Sequence, residues 1–382
     1  MKFILTTMIL MGMLSSTQST YGQDAANTTF NLLIGTYTKP GKSNGIYVYS
    51  FNSETGDFKY KAEVGDIINP SFLVVTQDRK QVYAVSETGN GQGSISAYSF
   101  DGQTGNLTYL NSASSGGDGP CYVTVDDNNQ YVFVGNYSGG SLSAIPIKTD
   151  GSLGHDIQTI KHQGSSVNKS NQNKPHVHAT VLSPDNRYLF VPDLGTDKVN
   201  IYKVDVANSE PLTPAASAFV SVKPGSGPRH FTFHQNNKHA YVIQEMMGII
   251  TVFDYDDGRL SAKQSVTMTS PDFKGKIDAA DIHISPDGKF LYGSLRGDIN
   301  ELVIYAIEEN GELTYQGRQS TMGLNPRNFG IDPTGNFLLV GNNRSDQITI
   351  FKRDHETGLL TPTGKKISVG SPVCIKFVSI DK

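Results

Sequence analysis

The side chains in this chain best suited to chemistry are imidazoles, guanidiniums and one carboxylate set beside short apolar runs: His176, His178, Arg229, His230, Glu245, His283, Arg296 and Arg327. Asn343 and Tyr37 stand at comparable places and add neutral hydrogen-bonding groups. Gathered at one concavity, such groups make an anion-binding and acid/base site. Arginines hold an anionic group or an oxyanion in bidentate fashion, while Glu245 or His178 takes a proton from water. The chain has neither a nucleophile elbow nor a metal-ligand motif, so the expected chemistry needs no metal and no cofactor.

What would gather these residues is a repeat. The stretch Asn173 to Tyr202 runs through a proline, an alternating HVHATVL segment, a Ser-Pro-Asp-Asn turn, then YLFVPD and KVNIYKV. It reads as strands joined by tight turns. Versions of it recur at a period of about fifty residues, anchored at Pro70, Pro120, Pro175, Pro228, Ala280, Pro326 and Pro372. Self-similarity at that period, with four short strands per unit and no helical segment, predicts an all-β fold: a seven-bladed β-propeller with four antiparallel strands per blade. The last anchor has one strand after it and the first has three before it. One C-terminal plus three N-terminal strands therefore complete a blade and close the ring. Recurrent pairs such as Asp150-Gly151, Asn310-Gly311 and Thr357-Gly358 mark the hairpins between third and fourth strands.

In a propeller the first strand of each blade lines the channel and the second returns beside it, so the start of one and the end of the other share a mouth. One residue after the anchors stand Ser71, Cys121, His176, Arg229, Asp281, Arg327 and Val373. Two residues further, on the same side by the strand period of two, stand His178 and His283. The ends of the second strands bring Glu87, Asn136 with Tyr137, Asp193, Glu245, Arg296, Asn342 with Asn343, and Tyr37. Each alone also reads as a structural polar group; the convergence of the set carries the functional reading.

A formal charge of −4 gives no electrostatic case for nucleic acid or an anionic membrane. The absence of tryptophan sets the chain apart from Trp-Asp repeat propellers. Residues 1–22 carry one lysine, an apolar run and then small polar residues, the pattern of a signal peptide, leaving a single domain over 23–382 that is exported to the periplasm or beyond. Cys121 and Cys374 fall in blades that are not neighbours, so two buried thiols are expected and no bridge. Between Gly154 and Lys174 lies a Ser-, Asn- and Gln-rich insertion, a surface loop or a lid over the channel mouth.

The phrases PHVHATVLSPDNRYLFVPDLGTDKVNIY, GPRHFTFHQNNKHAYVIQE, ADIHISPDGKFLYGSLRG and NPRNFGIDPTGNFLLVGNN resemble the lactonase family of seven-bladed propellers, which includes bacterial 6-phosphogluconolactonases and a carboxy-muconate cyclase. The resemblance covers nearly all of the chain after residue 22. It implies a catalytic set of His178, Arg229, Glu245 and Arg296, to which the positions at the mouth add His176, His230, His283, Arg327, Asn343 and Tyr37 as substrate-binding candidates. The implied activity is hydrolysis of a sugar lactone of the 6-phosphogluconolactone type, with the small-molecule lactone as partner; separately from the resemblance, a monomer is expected. A muconate-type lactonising cyclase and a non-catalytic ligand-binding propeller are the alternatives.

Overall fold

The computed structural model describes residues 28–39, 41–155 and 157–380. The expected signal peptide lies outside these residues. Seven four-stranded antiparallel sheets form, one per repeat unit. Blades 1 to 6 follow chain order, opening at Leu73–Val75, Pro120–Val125, Val181–Leu182, Pro228–Phe233, Ile277–Ile284 and Pro326–Ile331. Blade 7 is composite: Pro372–Ser379 pairs with Thr29–Thr36 from Phe30↔Ser379 to Thr36↔Pro372, followed by Ile46–Asn52 and Phe58–Val64. This pairing leaves no blade incomplete, as the repeat predicts.

Hydrophobic residues on both faces of each blade pack against the neighbouring blades. Phe190 of blade 3 stacks on Phe231 of blade 4, with centroids 5.3 Å apart and planes 5° from parallel. Phe51 of blade 7 meets Phe337 of blade 6 edge to face. Tyrosines tie blades 1, 4 and 5 to the hairpin of the next: Tyr83 to the Gly151 carbonyl at 3.0 Å, Tyr241 to Gly311 at 2.8 Å and Tyr292 to Gly358 at 2.7 Å. Gly358 has φ +70°, and a Cβ there would lie 2.5 Å from the Phe290 ring, so both its conformation and its neighbour demand glycine.

One expected strand forms only in part. In HVHATVL the ladder is confined to Val181–Leu182, with an isolated bridge from Val177 to Asp193. The cause is Pro192. Its carbonyl accepts from the His178 amide at 3.0 Å, but proline has no N–H to return the bond. Both cysteines are buried free thiols in blades separated by blade 1.

Candidate functional site: the channel mouth

The backbone sets one ring of seven positions at the mouth. Just past the second strand, an amide donates to the carbonyl preceding the anchor: Glu87 to Asn69, Tyr137 to Gly119, Leu194 to His176, Glu245 to Gly227, Asn343 to Asn325 and Tyr37 to Ser371. In blade 5, where Ala279 pairs with Leu295 and Asp278 with Arg296, the same position holds Arg296.

This register corrects two sequence anchors. Because the carbonyl of His176 plays the part of Gly119 and Gly227, the anchor of blade 3 is Val177, two residues beyond Pro175. In blade 5 it is Ala279 and not Ala280. His178 is therefore the counterpart of Arg229 and Arg327. Asp281 aligns with His230 and Asn328, and His283 lies two positions deeper with Thr232. The period of two fails here as well. In blade 4 Pro228 pairs with Gln244 and His230 with Ile243, so Arg229 is the extra residue of a bulge. Adjacent Arg229 and His230 consequently meet side chain to side chain, Nη1 donating to Nε2 at 3.0 Å.

Glu245 is the centre of the mouth. Its Oε2 accepts from Arg229 Nε at 2.8 Å and from Arg296 Nη2 at 3.0 Å. Neither guanidinium bonds to Oε1. Burial alone would raise the pKa of this carboxyl, but the charges of Arg296, Arg229 and Arg327 outweigh it and hold the pKa below the usual glutamate value. Arg296 also donates to Asp278 Oδ1 at 2.5 Å and to the Ala279 carbonyl. Burial lifts the pKa of Asp278 above the ordinary aspartate value despite that contact.

His178 packs edge to face against His230 and Tyr137, with centroids 5.4 and 5.3 Å away. Burial, reinforced by Arg229, His230 and Arg327, pushes its pKa well below the normal histidine value, so the ring is neutral. Cys121 Sγ lies 3.8 Å from its Nδ1, and burial pushes that thiol up to about 12. His176 stacks on Tyr137 and donates from Nδ1 to the Tyr137 carbonyl at 3.0 Å.

Across the mouth Tyr37 donates to Glu87 Oε2 at 2.9 Å. Arg327 lies over the Tyr37 ring at 5.4 Å. Among the described residues no acceptor hydrogen-bonds its guanidinium. Burial opposes its charge, yet Tyr37, Glu87 and Glu245 raise its pKa above the ordinary arginine value.

Beneath this layer Asp281 joins three blades. It accepts from His230 Nδ1 at 2.7 Å, His283 Nε2 at 2.9 Å, Asn328 Nδ2 at 2.5 Å and the Phe329 amide. Burial and the adjacent Arg229 bring His230 down to about 3. His283 borders a separate cavity of about 270 Å3 that also reaches Phe72, Tyr122 and Phe233. The structure thus brings His178, Arg229, His230, Glu245 and Arg296 together, with His176, Arg327 and Tyr37 around them, and sets His283 below. The side chain of Asn343 accepts from Asn325 at 3.1 Å, a bond between loops of its own blade.

The insertion is tied down over this mouth. His162 bonds Asp193 at 2.8 Å, Ser166 bonds Asp197, and buried Gln172 donates to the Leu194 carbonyl at 2.8 Å. Its Asn168 and Asn171 line, with Glu245, Tyr137 and Asp278, a cavity of about 240 Å3. Glu87, Tyr137 and Asp281 stood among the mouth positions placed from the sequence but were given no role there, and Asp278 was not placed at all. The ring position identifies Glu87 and Tyr137, whereas Asp278 and Asp281 depend on the blade-5 register.

The family described as lactonase, 7-bladed beta-propeller, matches residues 31–377. A 6-phosphogluconolactonase of Formosa agariphila is 37% identical over 88% of this chain and 96% of its own length. A 6-phosphogluconolactonase of Bacillus subtilis is 35% identical over 90% and 97%. The solved structure of a periplasmic gluconolactonase from Pseudomonas aeruginosa is 38% identical, with a TM-score of 0.88, covering 92% of this chain and all of that one.

Proposed function

The chain belongs to the lactonase family of seven-bladed β-propellers, and from that premise we propose that it hydrolyses a sugar lactone of the 6-phosphogluconolactone type at this mouth. The observation that carries the proposal is the state of Glu245. One carboxylate oxygen is gripped by two guanidiniums, the other has no arginine partner, and the group borders a cavity that also holds polar amides.

Glu245 Oε1 takes a proton from a water aimed at the lactone carbonyl, and the new C–O bond gives a tetrahedral oxyanion. Arg229 and Arg296 stabilise that charge, each with guanidinium N–H groups not committed to Glu245. Collapse breaks the ring C–O bond, and the proton held by Glu245 passes to the departing alkoxide. The product is an open hydroxy acid, which ionises and releases one proton to solvent. Neutral His178 donates or accepts one hydrogen bond without adding charge. Arg327, whose guanidinium has no hydrogen-bond acceptor among the described residues, binds the anionic end of the substrate.

Initial rates on 6-phosphogluconolactone and on gluconolactone, corrected for spontaneous opening, test the assignment. Glu245→Gln should lose about a hundredfold or more in kcat. Arg327→Ala should raise KM for the phosphorylated lactone by about tenfold, and much less for the neutral one. If Glu245→Gln, Arg229→Ala and His178→Ala all leave the rate within about threefold, the site is misplaced. Export by residues 1–22 belongs to the same proposal, and the periplasmic relative supports it. An exported enzyme meets unphosphorylated lactones, so the ratio of the two rates also reports its natural substrate.

A further inference from the structure

One residue before the mouth ring, several blades repeat a small device. In blade 2 Asn136 Nδ2 donates to the Ser115 carbonyl at 3.0 Å and to the Ser141 and Ser143 hydroxyls at 3.1 and 3.2 Å. Blade 4 has Gln244 donating to Thr251 Oγ1 at 2.7 Å. In blade 6 Asn342 reaches the Thr321 carbonyl at 3.0 Å and Thr349 Oγ1 at 3.1 Å. A carboxamide thus plugs the gap between the outer strands of its blade and, in blades 2 and 6, the segment arriving from the preceding blade.

Blade 1 lacks the plug. Ser86 occupies this position, paired with Ser94 as Asn136 is paired with Ser141. A serine cannot span the gap, and a cavity of about 520 Å3 opens there. Hydroxyls of Ser86, Ser94, Ser96 and Ser112 and the rings of Tyr98 and Tyr109 line it. Ser86 is only 8% exposed, and its hydroxyl has no hydrogen-bond partner among the described residues. Tyr98 and Tyr109 meet edge to face at 5.8 Å, and Tyr109 is 57% exposed.

The volume lies within the roughly 300–1,000 Å3 typical of small-molecule pockets. No cationic side chain lines it, and Asp66 is its one carboxylate. Hydroxyl groups both donate and accept, which matches the alternating needs of a polyol. An exposed tyrosine ring offers a flat apolar face to the C–H side of a pyranose. We propose that this cavity is an accessory binding site for a neutral sugar, separate from the anion-binding mouth. It lies on the flank of the mouth, since Ser86 directly precedes Glu87.

The test is calorimetric and NMR titration of the intact protein with cellobiose and with methyl β-glucoside. Dissociation constants of roughly 1–10 mM are expected for at least one of them. Ser86→Asn rebuilds the plug used by blade 2, and Tyr109→Ala removes the exposed ring with little risk to folding. Each should weaken binding at least about tenfold while leaving lactone turnover unchanged. Unchanged affinity in both variants places any bound sugar elsewhere and overturns the proposal. So does the absence of binding by both sugars at about 50 mM. Because binding is read directly, neither result depends on the lactone chemistry.

Discussion

Arg229 is held by a chain of bonds whose direction is fixed. Its Nη1 donates to His230 Nε2, so the ring proton is on Nδ1, which donates to Asp281 Oδ1. An acceptor is needed at the first link; a charge is not. His230→Gln can offer its amide oxygen to Arg229, whereas His230→Leu cannot. We expect the glutamine variant to keep at least about tenfold more kcat than the leucine variant at similar melting temperature, a difference of about 1.4 kcal/mol in barrier. Equal rates would show that His230 only fills space. The pH profile belongs to the same scale. Glu245 is a base only when ionised, and its pKa lies below the ordinary glutamate value. His178 and His230 are held neutral by depressed pKa values, His178 well below normal and His230 at about 3. Lowering pH from 8 to about 5.5 should therefore leave kcat/KM flat, with loss only on the acid side of the usual glutamate range. An inflection near 6.5 would assign the base to a histidine and remove it from Glu245.

At the scale of elements, the insertion between Gly154 and Lys174 should matter for binding more than for chemistry. Its Asn168 and Asn171 border the Glu245 cavity but hydrogen-bond none of the reacting groups assigned above, the Asn168 amide reaching Met246 Sδ instead. Replacing residues 164–171 by a short glycine-serine linker, which keeps buried Gln172, should raise KM by about fivefold with kcat within about twofold. Unchanged KM would make the segment a bystander. Here the reach of sequence reasoning is also clearest. Blade number, ring closure and hairpin positions were legible, because each follows from periodicity and turn chemistry repeated seven times. The register inside the channel was not. Pro175 resembles the other anchor prolines, yet the backbone pairing puts Val177 in their place, and His178 moves into the row of Arg229. A bulge of one residue likewise brings His230 beside Arg229, where strict alternation sends it to the opposite face. Both effects come from backbone pairing with the second strand, which the first strand does not encode. Residues at the ends of the second strands were easier to place, and Glu245, Arg296 and Tyr37 stand where the repeat puts them.

For the whole molecule, closure and site are one mechanical system. The strand Pro372–Ser379 contributes buried Cys374, Ile375 and Val378, and it covers an edge of Thr29–Thr36 that would otherwise be open. Its Ile375 amide also donates to Asn328 Oδ1 at 2.7 Å. The other end of the Asn328 amide donates to Asp281, which fixes His230 and through it Arg229. The last strand of the chain thus orients a guanidinium three blades away in the ring through four hydrogen bonds. Removing residues 371–382 strips one strand from blade 7, exposes the next, and frees Asn328 to rotate. Closed propellers gain their stability from neighbour contacts around the whole ring, so an open ring loses more than one blade's share. We expect the truncated chain to lose cooperative melting and to associate through its open edge. If it stayed monomeric with an unchanged midpoint, the closure would be ornamental. In that case, a lactonase rate that fell while the midpoint held would still place the link through Asn328 in the working site, and an unchanged rate would break that link as well.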